Sequence, residues 1–272
     1  MIFLSLGAGV QSTVMLMLAI RGEIDRPDHV IFADTGWEPQ GVYKHLDWCE
    51  LQCARAGIPF HQVSAGNIRD DMVAAKTADS GEYSGRWAAM PVFVDTGTGV
   101  EGQIRRQCTS EYKLNPLRKK QRELLGYQPR QRIPENACQV MIGISTDEAR
   151  RASPSSDKWV DNLYPLIDPL KMSRVDCQSW WEQHYPHVPL TKSSCLGCPF
   201  KSDTAWRQLK NENPAEWADV VQFDEQIREA AGMRGKSYLH RSCKPLSEVN
   251  LNESQYGLDL DDGVYCYGGC GL

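Results

Sequence analysis

The first twenty residues constrain the fold more than any other stretch. An apolar run, Ile2-Phe3-Leu4-Ser5-Leu6, leads into Gly7-Ala8-Gly9-Val10-Gln11-Ser12-Thr13 and then into Val14-Met15-Leu16-Met17-Leu18-Ala19-Ile20. This order reads as a buried strand, a small-residue turn and a helix. Glycine lets the backbone approach a ligand closely. The unpaired N–H groups of such a turn favour an anion, most often a phosphate. Ser12 and Thr13 add hydroxyl donors. The loop is neither Gly-x-x-x-x-Gly-Lys-Ser/Thr nor Gly-x-Gly-x-x-Gly, so it is neither a Walker loop nor a dinucleotide fingerprint. Taken alone, it is equally an ordinary strand-to-helix turn.

The alternation continues down the chain. His29-Val30-Ile31-Phe32-Ala33-Asp34 is a second apolar run that ends in the turn Asp34-Thr35-Gly36. Residues 39–56 carry helical spacing, with Val42, Leu46, Cys49 and Cys53 on one side. Phe60-His61-Gln62-Val63 reads as a third strand. Residues 64–104, rich in Gly, Ser, Asp and Thr, read as an irregular insertion or lid. Residues 110–125 are helical and basic, and Gln139–Ile144 is a further buried strand. Repeated strand–helix units predict the α/β class, with a doubly wound, mostly parallel five-stranded sheet. Its ligand crevice lies at the carboxyl ends of the strands. The Gly7 loop, Asp34–Glu38 and Gly143–Glu148 each follow a strand and gather on that edge.

From residue 171 aromatics and prolines rise, and helices are predicted near 173–185, 202–210 and 214–231. The chain thus divides into an α/β domain over 1–170 and a helical C-terminal region over 171–272. The tryptophans at 180, 181, 206 and 217 read as core residues.

The chain has 272 residues, of which 41% are hydrophobic and 24% charged, enough for a sizeable core. No apolar run reaches bilayer-spanning length, and the N-terminus lacks the basic region of a signal peptide. The protein therefore reads as cytoplasmic and free of membrane contact. In a reducing compartment its ten cysteines are poor disulfide formers, and clustered ones point to metal, cluster or thiol chemistry. Between Arg105 and Arg132 nine Lys/Arg stand against two Asp/Glu, a local balance of +7. With a total of −5, the remainder of the chain carries −12. A basic island in an acidic protein suits a nucleotide or a locally held nucleic acid; the alternative is a solvated helix face.

The cysteines sort by spacing. Cys195-x-x-Cys198 followed by Pro199 is a metal- or cluster-grade pair, and Cys266-x-x-x-Cys270 is a second pair near the end. Cys108 lies in the basic island, where positive neighbours would favour its thiolate. Cys49, Cys53, Cys138 and Cys177 read as core residues. His240 and Arg241, just before Cys243, read either as phosphate contacts or as surface residues.

These segments jointly resemble a known family. Gly7–Thr13 resembles the pyrophosphate loop of the adenine nucleotide α-hydrolase-like (PP-loop) superfamily, commonly Ser-Gly-Gly-Lys-Asp-Ser-Thr. Phe32–Glu38 is similar to the Asp-Thr-Gly segment of its phosphoadenosine-phosphosulfate reductase branch. Arg106-Gln107-Cys108-Thr109, with Lys113 and Pro116, is similar to a segment of that branch's relatives. Gly143-Ile144-Ser145, with Asp147, Glu148 and Arg151, resembles a Gly-Ile-Arg-x-x-Glu segment, and Ser194–Phe200 resembles a Cys-Pro-Phe segment.

The resemblance implies a HUP/Rossmann-like fold that splits ATP at its α-phosphate, or binds a sulfonucleotide there. It assigns nucleotide and phosphate contacts to Ser5, Gly7, Ala8, Gly9, Gln11, Ser12, Thr13, Asp34, Thr35, Gly36, Gly143, Glu148 and Arg151. Val10 and Gln11 stand where Lys and Asp are common, so Arg105, Arg106 and Lys113 are the cations that would offset the missing lysine. Asp34 would hold Mg²⁺ or a ribose hydroxyl; the alternative is a turn cap. A four-thiolate [4Fe-4S] site would draw on Cys108, Cys195, Cys198 and either Cys266 or Cys270. Zn²⁺ is the alternative metal. The remaining terminal cysteine would carry sulfur or act as nucleophile, as would Cys108. The expectation is ATP-dependent sulfur transfer onto a nucleobase, tRNA or DNA, with a sulfur-donor protein as partner. The alternatives are a sulfonucleotide reductase using Cys270 and a zinc-stabilised nucleotide-binding module.

Overall fold

The computed structural model describes residues 1–74, 90–98, 101–229 and 235–252. Five parallel strands form the main sheet: β1 (Ile2–Leu6), β2 (His29–Asp34), β3 (Phe60–Ser64), β6 (Cys138–Ile142) and β7 (Val160–Leu163), in the order β3-β2-β1-β6-β7. β1 is central, and a parallel strand covered on both faces must be apolar throughout. The register pairs Ser5 with both Ile31 and Ile142 and Leu6 with Phe32, so the carboxyl ends of β1, β2 and β6 are level.

The Leu4 and Leu6 face packs on α1 (Val10–Arg21), α2 (Gln40–Ala56) and α5 (Arg174–His184). The opposite face, built on Phe3, Ile31, Ala33, Val140 and Ile142, takes Leu117 of α4 (Asn115–Leu124). The sheet is therefore doubly wound in the Rossmann-like manner, and all of its pairings are parallel rather than most of them. β7 has no counterpart among the apolar runs of the sequence. It is an edge strand in which only Val160 is buried, so it never needed one.

Within residues 64–104, expected to be irregular, the described part forms α3 (Ile68–Ala74), β4 (Phe93–Asp95) and β5 (Glu101–Gln103). β4 pairs antiparallel with β5 and with β8 (Lys236–Tyr238), giving a second, three-stranded sheet. Strands of three residues are too short to leave a periodicity.

A second hydrophobic core joins Trp37, Ile68 and Tyr112 to Leu196, Trp206 and Phe223, the last two from α6 (Asp203–Glu212) and α7 (Pro214–Gln226). Cys177 and Trp181 of α5 belong to the first core. Both cores thus cross the division at residue 170. Trp181 and Trp206 are buried, as are Cys49, Cys53, Cys138 and Cys177. No helix among the described residues is long and apolar enough to cross a membrane.

Candidate functional site

The loop after β1 closes on itself. Gly7 N and Gly9 N both donate to Ser12 Oγ, at 3.2 and 3.3 Å. Ala8 between them has φ +54°, a left-handed conformation that turns successive N–H groups to one side. The serine hydroxyl therefore stands where two loop amides converge, the place an anion would take. Val10, where lysine is common in the similar loops, is buried core. Gln11 crosses to the β6 loop, donating to Ser145 Oγ (3.3 Å) and Glu148 Oε2 (3.2 Å). Glu148 is paired with Arg151 at 2.7 Å. Gly143 makes this approach possible: a Cβ there would lie 2.7 Å from Ser12 N, closer than atoms can pack. Ser5 lies one turn of the pleat lower, on the α4 face of the sheet. Thr13 Oγ1 bonds His45 Nε2 on α2 at 3.0 Å. Burial lowers the His45 pKa to about 4, so the imidazole is neutral at physiological pH.

Asp34 closes the loop after β2. Its Oδ1 accepts from Gly36 N (2.8 Å) and Tyr43 OH (3.1 Å), and its Oδ2 from Gln62 Nε2 (2.9 Å). It is thus a turn cap, and among the described residues its hydrogen-bond donors are neutral. Thr35 is fully buried and donates to Glu38 Oε1 at 2.8 Å.

Residues 191–198 fasten this edge to the C-terminal region. Thr191 Oγ1 donates to Ala8 O (2.5 Å), and Leu196 N to Trp37 O (2.8 Å). Gly9 faces Ser193, and Gly197 lies on the Trp37 ring, which a Cβ would meet at 2.3 Å. Cys195 Sγ is 3.3 Å from Thr35 Oγ1 and donates to Glu38 Oε1 at 3.7 Å. Cys198 sits one turn on, its N bonded to Cys195 O. Cys108 approaches from the other side, just before the π-helical turn Thr109–Leu114 that runs into α4. Such turns cost backbone regularity and concentrate at functional sites.

Cations surround the three thiols. Lys113 is buried; burial alone would depress its pKa, but Glu38 and the thiols, Cys195 first, outweigh that and raise it. Lys201 donates to Ser194 Oγ at 3.0 Å, and burial lowers its pKa against the pull of Cys198 and Cys195. Arg106 faces Cys108, Cys198, Arg151 and Cys195, with burial lowering its pKa.

Several expectations change here. The cations near Cys108 do not make it a thiolate: burial and then Cys198 raise its pKa more than Arg106 and Lys113 lower it. Burial likewise carries Cys195 well above the usual thiol range. Arg106 faces the thiols and Arg151, Lys113 faces Glu38 and the thiols, and Arg105 is exposed. His240 is buried rather than on the surface, and Arg241 is half-buried. His240 Nε2 is 2.9 Å from Asp203 Oδ1 and Arg241 donates to Asp203 Oδ2 at 2.8 Å, a network centred on buried Asp203 at the start of α6. Cys266 and Cys270 lie outside the described residues. Among those described, no three His, Cys, Asp or Glu side chains are arranged to hold a metal ion. Glu38 and Lys201 carry no sequence signal of their own; only the spatial approach of Cys195 and Cys198 reveals them.

The chain was compared with models of known protein families and with curated proteins, and neither comparison finds a match.

Proposed function

We propose that this chain is a nucleotide-dependent sulfurtransferase related to the PP-loop adenine nucleotide α-hydrolases, and that it works in the cytoplasm. In this reading a substrate oxygen attacks the α-phosphorus of ATP, releasing pyrophosphate. The outer sulfur of a cysteine persulfide then attacks the activated carbon: a C–S bond forms, the C–O bond breaks and AMP leaves; a second thiol of the chamber cleaves the S–S bond, releasing the thiolated product and leaving a disulfide that sulfide reopens to the persulfide. The observation that carries the reading is the fastening of residues 191–198. One short segment bonds the phosphate loop at Ala8 and the Asp34–Glu38 loop at Trp37 while carrying Cys195 and Cys198. A phosphoryl site and a thiol chamber thereby share one wall.

The loop amides of Gly7 and Gly9 would hold phosphate oxygens, displacing the Ser12 hydroxyl. Asp34, with no ion pair among the described residues, would hold Mg²⁺. The donor chemistry of Cys108, Cys195 and Cys198 suits a soft metal centre. Arg106, Lys113 and Lys201 would balance its negative charge, and Cys266 or Cys270 would complete a four-thiolate set. A [4Fe-4S] cluster bound there would supply a sulfur-handling centre; Zn²⁺ would be structural. The acceptor class is a nucleobase, free or within tRNA or DNA, and a sulfur-donor protein would reload the thiols.

Anaerobically reconstituted protein is to be incubated with ATP, Mg²⁺, sulfide and RNA or DNA. Pyrophosphate and AMP should appear in step with thiolated product. Release of neither with any acceptor overturns the reading. One feature favours a sulfonucleotide reductase instead: Val10 and Gln11 put no charge at the loop, and Lys113 attends Glu38 and the thiols. That reaction needs no ATP cleavage, and sulfite release abolished by Cys270→Ser would select it.

A further inference from the structure

β3 lies at one end of the main sheet, so one of its edges is open. Val30 N donates to Pro59 O at 3.0 Å, which fixes the parity of the ladder. His61 and Val63 turn their backbone groups toward β2. The N–H and C=O groups of Phe60, Gln62 and Ser64 therefore point outward, and none has a partner among the described residues. Sheet edges are usually blunted by a charge, a proline or a cover. β7, at the other end, carries exposed Asp161 and has Ser153 held against it by Asn162 and its neighbour Tyr164. Phe60–Ser64 contains no proline and no Lys, Arg, Asp or Glu.

A groove of about 810 Å³ runs along this edge, with α4 and the turn before it as the other wall. Its charges balance, Glu111 and Glu123 against Lys119 and Lys120. Such a lining offers a polyanion no net attraction. A second copy of the chain has the opposite requirement, because across a twofold axis each surface must be its own complement. The charges are placed to meet it. His61, near the start of β3, lies in the field of Lys120 and Glu123, so α4 runs against β3 and Glu111 lies toward the carboxyl end of the strand. The stretch from Glu111 to Lys120 rises about 13 Å, as does the strand from Phe60 to Ser64. A twofold through Gln62 exchanges the ends of β3, and so sets Glu111 of one copy against Lys119 and Lys120 of the other. Lys120 is engaged by Glu123 on its own helix at 2.7 Å, which leaves exposed Lys119 for that contact. Neither Lys119 nor the Glu111 carboxylate has a hydrogen-bond or salt-bridge partner among the described residues.

We propose that this chain forms a twofold homodimer in which β3 pairs antiparallel with β3 of a second copy, joining the two main sheets into one. Gln62 sits on the axis and pairs with its own counterpart, and Phe60 of each copy pairs with Ser64 of the other. Each such pair exchanges two backbone hydrogen bonds, about six in all, and satisfies every outward group of the strand. Lys119 of each copy closes on Glu111 of the other, and the two α4 helices flank the seam. The dimer is independent of the sulfur chemistry proposed above.

The test is the mass of the full chain in solution, by light scattering and sedimentation across the micromolar range. Wild type should be a dimer. Gln62→Lys opposes two lysines across the axis and should raise the dissociation constant by about tenfold or more, with the circular dichroism spectrum unchanged. Lys119→Glu alters an exposed side chain and should weaken the dimer several-fold, which keeps the test open if Gln62→Lys fails to fold. Directly opposed residues of a hydrogen-bonded pair lie about 5.5 Å apart at Cα, within disulfide reach. Gln62→Cys should therefore give, on mild oxidation, a crosslinked dimer whose disulfide maps to position 62 by mass spectrometry. In wild type, the amides of residues 60–65 should gain hydrogen-exchange protection as concentration rises. A wild type that stays monomeric overturns the proposal, as does a dimer that both charge variants leave intact and that gives no linkage at position 62. Protection of residues 60–65 that appears only on adding tRNA or DNA also overturns it, and assigns the groove to nucleic acid.

Discussion

His45 ties the stability of the phosphate-loop helix to pH. Its Nε2 bonds Thr13 on α1, its ring stacks on Trp48 with centroids 5.9 Å apart, and its Nδ1 is buried with no partner among the described residues. Adding a proton there would bury a charged N–H with nothing to accept it, which is why burial lowers the pKa to about 4 from 6.5. The unfolded chain binds the proton more readily than the folded one between those two values. Stability is therefore fully present above pH 6.5 and declines as pH falls toward 4. At about 1.4 kcal/mol per unit, this costs about 2 kcal/mol by pH 5 and about 3 kcal/mol by pH 4. His45→Asn keeps a polar partner for Thr13 and cannot titrate. Urea unfolding of both proteins from pH 7.5 to 4.5 should give curves whose difference follows that slope. Parallel curves would refute the assignment of a buried, neutral His45.

Gly143→Ala should push the β6 loop off Ser12, destabilising the fold by about 1–3 kcal/mol, readable by thermal melting; under the proposed function it should also weaken nucleotide binding in titration. Gly197→Ala strikes the Trp37 ring and should cost a similar amount, about 1–3 kcal/mol, with a change in tryptophan emission. Asp203→Ala removes the acceptor that buried His240 shares with half-buried Arg241; a loss of about 1–3 kcal/mol in denaturant unfolding is expected, with Asp203→Asn milder. In metal-free protein Cys108 and Cys195 should react slowly with iodoacetamide at pH 7 and quickly once unfolded, followed by mass spectrometry; rapid labelling of the native state would contradict their raised pKa values.

The alternation of β1, α1, β2 and α2 was legible because each of those strands is covered on both faces and must be apolar along its length. β7 was not, because an edge strand with one buried residue leaves no such run. The gathering of the Gly7, Asp34 and Gly143 loops followed from parallel topology alone. The sign of the Cys108 shift did not, because sequence counts neighbouring charges and cannot weigh them against burial. Glu38 was equally hidden: its partner Cys195 is 157 residues away.

By itself, then, the sequence determined the doubly wound sheet, the glycine turn between β1 and α1 and the set of thiols worth following. These depend on short-range pattern and residue type. Only the tertiary structure decided that residues 191–198 fasten the thiol pair to the loop after β1, and that Lys113 and Arg106 face the thiols. Those facts depend on which distant groups meet after water is excluded, and burial sets both their pairing and their protonation.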